Sequence, residues 1–254
     1  MRLRKVVFLA GSASIAVGAL SMYGVVAASA TTFLYGSTTC YQVVFDNMCD
    51  FSGIHAGPGI TTIGMSEVDS GAGTIAANYM GVWTAIYKNG TQCRTAGPTY
   101  NPAPAASWSI QVTPGCGGGA TYFDQGITST WNGSQYVGHY TQPSPPVNNG
   151  TVVRRSASTQ NPASQYQPPQ TNARGQTYGS ALGATSYAQV PDLVSVWDNE
   201  GQLGYALKTD IFPSKFPSGP NAASSLQQGD LTTSSVPVYR SDGVTVIGTY
   251  GGWN

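Results

Sequence analysis

Tyr79-Met-Gly-Val-Trp-Thr-Ala-Ile-Tyr87, turned at Asn89-Gly90 toward Thr91-Gln-Cys93, is the stretch that decides the fold class. β-Branched and aromatic side chains crowd it, and these suit a pleated, half-buried surface. Asn-Gly between two such runs signals a hairpin, because a type I′ turn needs positive φ at both central residues. The pattern recurs downstream, where Ile127-Thr-Ser-Thr-Trp131 meets Asn132-Gly133 and Ser134-Gln-Tyr-Val-Gly-His-Tyr140 returns. Tyr41–Phe45, Gly59–Met65, Trp108–Val112 and Thr121–Asp124 read as further strands. About six to eight short strands with turn residues between them predict a small antiparallel sandwich or barrel over residues 31–142.

Composition agrees with that pattern. Thr, Ser, Gly, Tyr and Val are abundant, while Leu, Glu and Lys, which long helices favour, are scarce. At Gln142 the character changes. Pro143-Ser-Pro-Pro146 opens a Pro/Gln/Asn-rich stretch that also holds Pro162, Pro168 and Pro169. Residues 143–176 carry too little apolar surface to bury and are expected to be a linker. From Thr177 the strand signals resume, with Asp192-Leu-Val-Ser-Val-Trp197, a turn at Asp198-Asn-Glu-Gly201, and Gly204-Tyr-Ala-Leu-Lys208. Val236-Pro-Val-Tyr239 and Val244–Tyr250 flank a second hairpin signal at Asp242-Gly243. Asn221 is a candidate cap for one short helix through Gln228, ended by Gly229. Residues 177–254 are expected to form a small β-rich module of their own.

The first thirty residues place the chain. Arg2, Arg4 and Lys5 precede an apolar stretch from Val6 to Leu20, and Ala28-Ser29-Ala30 is a small-residue cleavage site. That order is a secretory signal peptide over residues 1–30. A membrane span needs about 20 strongly apolar residues, and Gly11, Ser12, Ser14 and Gly18 dilute the run. The expectation is a secreted or cell-surface protein with no membrane span after cleavage. Without its leader the chain keeps eight basic against eleven acidic residues, a net charge of −3. So weak a charge excludes nucleic acid, which needs a dense basic stripe.

Four cysteines, Cys40, Cys49, Cys93 and Cys116, suit an exported chain as disulfides. Three pairings are open. Cys40–Cys49 with Cys93–Cys116 is favoured because each closes a local loop, worth about 3 kcal/mol per bridge in the chain-entropy model. No Cys-x-x-Cys occurs and His55 and His139 are the only histidines, so neither a metal nor another cofactor is expected.

Catalytic signals are sparse. No Gly-x-Ser-x-Gly elbow presents a nucleophile. His55 falls in the Gly-rich Gly53–Gly59 segment, which reads as a loop, and His139 on a hairpin strand. Glu67 and Asp69, two apart on a strand, would share a face and are the one candidate carboxylate pair for glycan hydrolysis. Asp198-Asn-Glu-Gly201 lacks the spacing of a calcium loop and reads as a turn. Of the Asn-x-Ser/Thr matches at Asn89, Asn132 and Asn149, two coincide with the predicted hairpins. Aromatic residues crowd the first module. Tyr79, Trp83 and Tyr87 share a strand face with Ala85 and read chiefly as core, while Trp131, Tyr136 and Tyr140 are the candidate ligand contacts.

Thr177-Tyr-Gly-Ser180, Pro191-Asp-Leu193, Gly204-Tyr205 with Lys208 and Asp210, Val236–Tyr239, Asp242-Gly243 and Val246-Ile-Gly248 resemble a C-terminal module of exported proteins of Gram-positive bacteria. Gly126-Ile-Thr, Trp131-Asn-Gly-Ser134 and Tyr140 are similar to small secreted proteins of actinobacteria. Both families are without an assigned activity, so the resemblance implies an exported bacterial protein and transfers no catalytic residue. The functional expectation is a non-enzymatic surface or extracellular binding protein whose partner is cell-wall glycan or another extracellular protein. The alternative is a secreted glycan hydrolase.

Overall fold

The computed structural model describes residues 32–43, 46–56, 62–71, 73–113, 120–148, 167–213, 216–226 and 234–252. The chain is mainly β, built as two facing sheets. The first sheet is antiparallel and holds β1 (Thr32–Tyr35), β2 (Thr39–Val43), β3 (Asp46–Ala56), β4 (Ile63–Ser70) and β7 (Ser107–Val112). Its order is β1-β3-β4-β7, with β2 beside β1 on the same edge of β3. The second begins with β5 (Met80–Lys88), β6 (Thr91–Tyr100) and β8 (Thr121–Trp131), with β9 (Tyr136–Tyr140) and β10 (Val147–Asn148) on the outer edge of β8. The sandwich alternative holds, and no barrel closes.

The deciding hairpin forms as expected. Asn89 and Gly90 both take positive φ, 52° and 79°. Asn132-Gly133 turns the chain differently, since only Gly133 has positive φ there. Asn132 Oδ1 accepts the backbone N–H groups of Ser134 and Gln135, so the side chain builds a longer loop in place of a two-residue turn. Thr121–Asp124 and Ile127–Trp131 are one strand, and the strand read as ending at Met65 runs on to Ser70. His55 is corrected from loop to strand: it pairs with Phe33 and Ile63 inside the first sheet.

β5 is buried along nearly its whole length because both its faces are covered. Its even positions point between the sheets. There Met80 and Val82 join Val43, Met48 and Val68 in one apolar cluster, and Ile86 joins Ile54, Ala96, Val112, Tyr122 and Val147 in another. Its odd positions, Trp83, Ala85 and Tyr87, enter a third cluster on the far face. That cluster is completed by Val194, Val196, Ala206, Phe212, Val238 and Tyr250. Trp83 and Tyr87 are therefore core, as the shared strand face implied.

The residues on either side of 149–166, a segment outside the described residues, share this sheet. β13 (Leu193–Trp197) pairs in parallel with β6 through Val196 and Gln92, then passes the sheet on to β14 (Leu203–Leu207), β15 (Ser235–Tyr239) and β16 (Val246–Gly251). The Gln92 side chain, fully buried, donates to the Tyr250 hydroxyl, and Gln125 bonds the backbone at Gly183 and Ala184. Within the stretch read as linker, Val147–Asn148 pairs with β8, and β11 (Gln170–Thr171) pairs with β12 (Thr177–Gly179). Two short helices, α1 (Lys208–Ile211) and α2 (Pro220–Ala223), interrupt the strands. α2 starts one residue before Asn221 because Pro220 takes the first helical turn, and Gln228 and Gly229 lie outside the described residues.

Cys40 and Cys49 are bonded to each other across the β2–β3 pair. Cys93 is disulfide-bonded as well; Cys116, its expected partner, lies outside the described residues.

Candidate functional site

The outer face of the first sheet carries a line of four rings. Alternation along β1 turns Phe33 and Tyr35 outward while Leu34 packs into the sandwich. Register then sets Phe33 opposite His55 and Tyr35 opposite Gly53 on β3. The Phe33 and Tyr35 rings are nearly parallel, 14° apart with centroids at 5.8 Å. His55 lies 4.8 Å from Phe33 at one end, and Phe51 meets Tyr35 edge-on at 5.3 Å at the other. Gly53 makes the arrangement possible: a Cβ there would lie 2.7 Å from Tyr35 Cδ1 and 3.5 Å from Phe33 Cδ1. Both rings lean across the strand into space that any other side chain would fill. Tyr35 remains 50% exposed, and Phe33, Phe51 and His55 are half-buried.

Glu67 and Asp69 border this face, as their spacing implied. Glu67 pairs with Phe51 and Ser109, and Asp69 with Cys49 and Ser107. Partial burial raises the Glu67 carboxyl above its ordinary range, against the pull of a Ser107 hydrogen bond; the neighbouring Asp69 charge adds to the rise. The two acids stand side by side on one strand. Glycoside cleavage uses carboxylates flanking the scissile bond, whereas these two share one face of a single strand. Among the described residues no group of three or more His, Cys, Asp and Glu is placed to hold a metal.

Trp131 and Tyr136 come together elsewhere, with Tyr79, Tyr100 and Phe216, at one end of the second sheet. Trp131 is half-buried; Tyr136 is buried and its hydroxyl donates to the Asn78 carbonyl. Tyr140 is not part of that group. It pairs with Ile127 and packs against the far-face cluster, its hydroxyl buried and its pKa raised by that burial. An open groove of about 470 Å³ runs between residues 172–174 and 241–244 over Tyr178. Its polar rim is occupied in shaping turns, Asn172 bonding Arg174, Gln176 and Ser241, and Asp242 bonding Val244 and Thr245.

Between the two inner apolar clusters lies a polar band. Asp124, fully buried, accepts hydrogen bonds from Thr84 at 3.0 Å and Ser66 at 3.2 Å. Ser66 touches Ser52, which touches Thr141, so hydroxyls link both sheets. Nearby, Asp50 accepts from Thr128 at 2.8 Å, and the Tyr41 hydroxyl lies 3.2 Å from the same Thr128 oxygen. His139 stacks on the Tyr41 ring at 3.4 Å, and its burial lowers its pKa. Burial lifts Asp50 to about 6 and Asp124 well above the carboxylate range. The two acids and the hydroxyls of Ser52, Ser66, Thr84, Thr128 and Thr141 are closed from solvent, whereas Tyr41 and His139 are half-buried.

No family model, no curated protein and no solved structure matches the chain.

The aromatic face was not among the sequence candidates. Its signal was present as the period-two placement of Phe33 and Tyr35, but Phe51 and His55 join them only through the β1–β3 register.

Proposed function

We propose that this is an exported, non-enzymatic binding protein of the cell surface or extracellular space, and that it holds glycan. The observation that carries the reading is the surface line Phe51–Tyr35–Phe33–His55, with Tyr35 exposed and the other three half-buried. Ring faces and edges at the surface offer dispersion and hydrophobic contact to the C–H faces of sugars. The leader-like N-terminus and the Cys40–Cys49 disulfide support an oxidising destination. No helix among the described residues is long and apolar enough to cross a membrane.

The glycan-hydrolase reading draws on the raised pKa of Glu67 beside Asp69. One experiment separates the two. The purified protein is mixed with insoluble peptidoglycan, chitin and cellulose, and both pull-down and soluble sugar release are measured. Retention without release supports binding. Release abolished by Glu67→Gln establishes hydrolysis instead. A Trp131→Ala variant reports whether the second aromatic group contributes.

A further inference from the structure

We infer that the four-ring face takes a neutral polysaccharide, its sugar rings lying on Phe33 and Tyr35, and rejects anionic polymers. The inference rests on the binding role proposed above and adds the chemical class of the ligand.

Ring placement supplies the first part of the argument. Phe33 and Tyr35 are successive outward residues of one strand, nearly parallel and 5.8 Å apart. That spacing is comparable with the length of one sugar residue in an extended chain, so neighbouring sugars can each meet a ring. β1 lies at the sheet edge, paired only with β3 among the described strands, which leaves a polymer a path along it. Gly53 keeps the floor beneath the rings low.

Charge supplies the second part. The acids on the ring side of this sheet are Glu67 and Asp69, and its strands hold not one Lys or Arg. Glu67 and Asp69 share the outer face with the rings. Sugar hydroxyls can donate to these carboxylates, whereas a polymer bearing carboxylates or phosphates meets like charge with no Lys or Arg on these strands to offset it.

The test is electrophoresis of the purified protein through gels containing hydroxyethylcellulose, glycol chitin or carboxymethylcellulose at low ionic strength. The first and third share a backbone and differ in charge. Retardation by at least one neutral polymer is expected, with carboxymethylcellulose weaker by about tenfold. Phe33→Ala with Tyr35→Ala should cost at least about tenfold in apparent affinity, as loss of stacked rings does. Gly53→Ala keeps both rings but displaces Tyr35, so it should weaken binding while leaving thermal stability near wild type, a control should the double variant fold poorly. Equal or stronger retention by carboxymethylcellulose overturns the ligand class and leaves the binding role standing. Retention unchanged in both the double variant and Gly53→Ala overturns the face as the site. No retention by any of these polymers, nor by the insoluble glycans above, overturns the binding role itself.

Discussion

The Thr128 hydroxyl on β8 donates to Asp50 Oδ2 on the facing β3, 2.8 Å across the gap between the sheets, while Asp50 Oδ1 is buried without a partner. Burial raises this acid to about 6, from the ordinary 3.8, with the Thr128 bond pulling the other way. A folded-state pKa above the unfolded one means the native protein binds the proton more tightly. The stabilisation is full below pH 3.8 and is lost as pH rises through about 6. Two units correspond to about 3 kcal/mol. Asp124, raised in the same direction, adds to the trend. Asp192 and Asp242 are lowered, the first chiefly by a backbone bond from Thr177 and the second by Thr245, so they oppose the trend only as pH falls below the ordinary carboxylate range. His139, lowered by burial, opposes it as pH falls through the ordinary imidazole range, one group against the two raised acids. The melting temperature should therefore be higher near pH 4.5 than near pH 7.5. Asp50→Asn should flatten that difference; an unchanged slope in calorimetry would refute the assignment.

Two glycines should respond unequally to alanine. At Gly126 an added Cβ would run into the Trp83 carbonyl and the Ser66 side chain, inside the sandwich. Backbone cannot step aside as a rotamer can, so Gly126→Ala should destabilise by about 1–3 kcal/mol. At Gly53 the obstacle is the Tyr35 ring, whose far end is free to swing outward. Gly53→Ala should cost under about 1 kcal/mol, within the range of surface changes. Urea unfolding of the pair checks the contrast, and equal losses would count against it.

The Cys40–Cys49 bridge spans nine residues and holds edge strand β2 to β3. Cys40→Ser with Cys49→Ser should lower stability by about 2–3 kcal/mol on loop-closure entropy. β2 also carries Tyr41, which reaches Thr128 and Thr130 on the opposite sheet. Amide exchange over residues 39–43 should quicken more than over β5; exchange unchanged at β2 would show that the bridge does not secure this edge.

Local chemistry made part of this fold legible. Asn89-Gly90 announces its hairpin because the turn's φ values favour those two residues, and the common face of Glu67 and Asp69 follows from strand alternation. What escaped was non-local. Ser52, Ser66, Thr84 and Thr128 look like solvent-facing strand residues, yet they line the interior because Asp50 and Asp124 give their hydroxyls acceptors there. The aromatic face depends on which strand lies beside β1, and nothing within Thr32–Tyr35 states it. His55 was hidden by its glycine-rich surroundings, although Gly53 serves a close approach within the sheet rather than a loop.

The same non-local pairing governs how the chain should behave when cut. Sequence composition divides it at residues 143–176, yet β6 pairs with β13 through Gln92 and Val196, and Gln92 also donates to Tyr250. Trp83 and Tyr87 from before the division are buried with Val194, Val238 and Tyr250 from after it, and Phe212 lies 4.9 Å from Trp83. Separating the halves would expose that cluster to water, at about 1.5–3 kcal/mol for each large side chain uncovered. A site for a specific protease is inserted within residues 149–166 and cleaved. The two fragments should then co-elute in size-exclusion chromatography and unfold in a single transition. They should part only in denaturant. Fragments that separate in native buffer, each still folded, would show instead that residues 177–254 form an independent module.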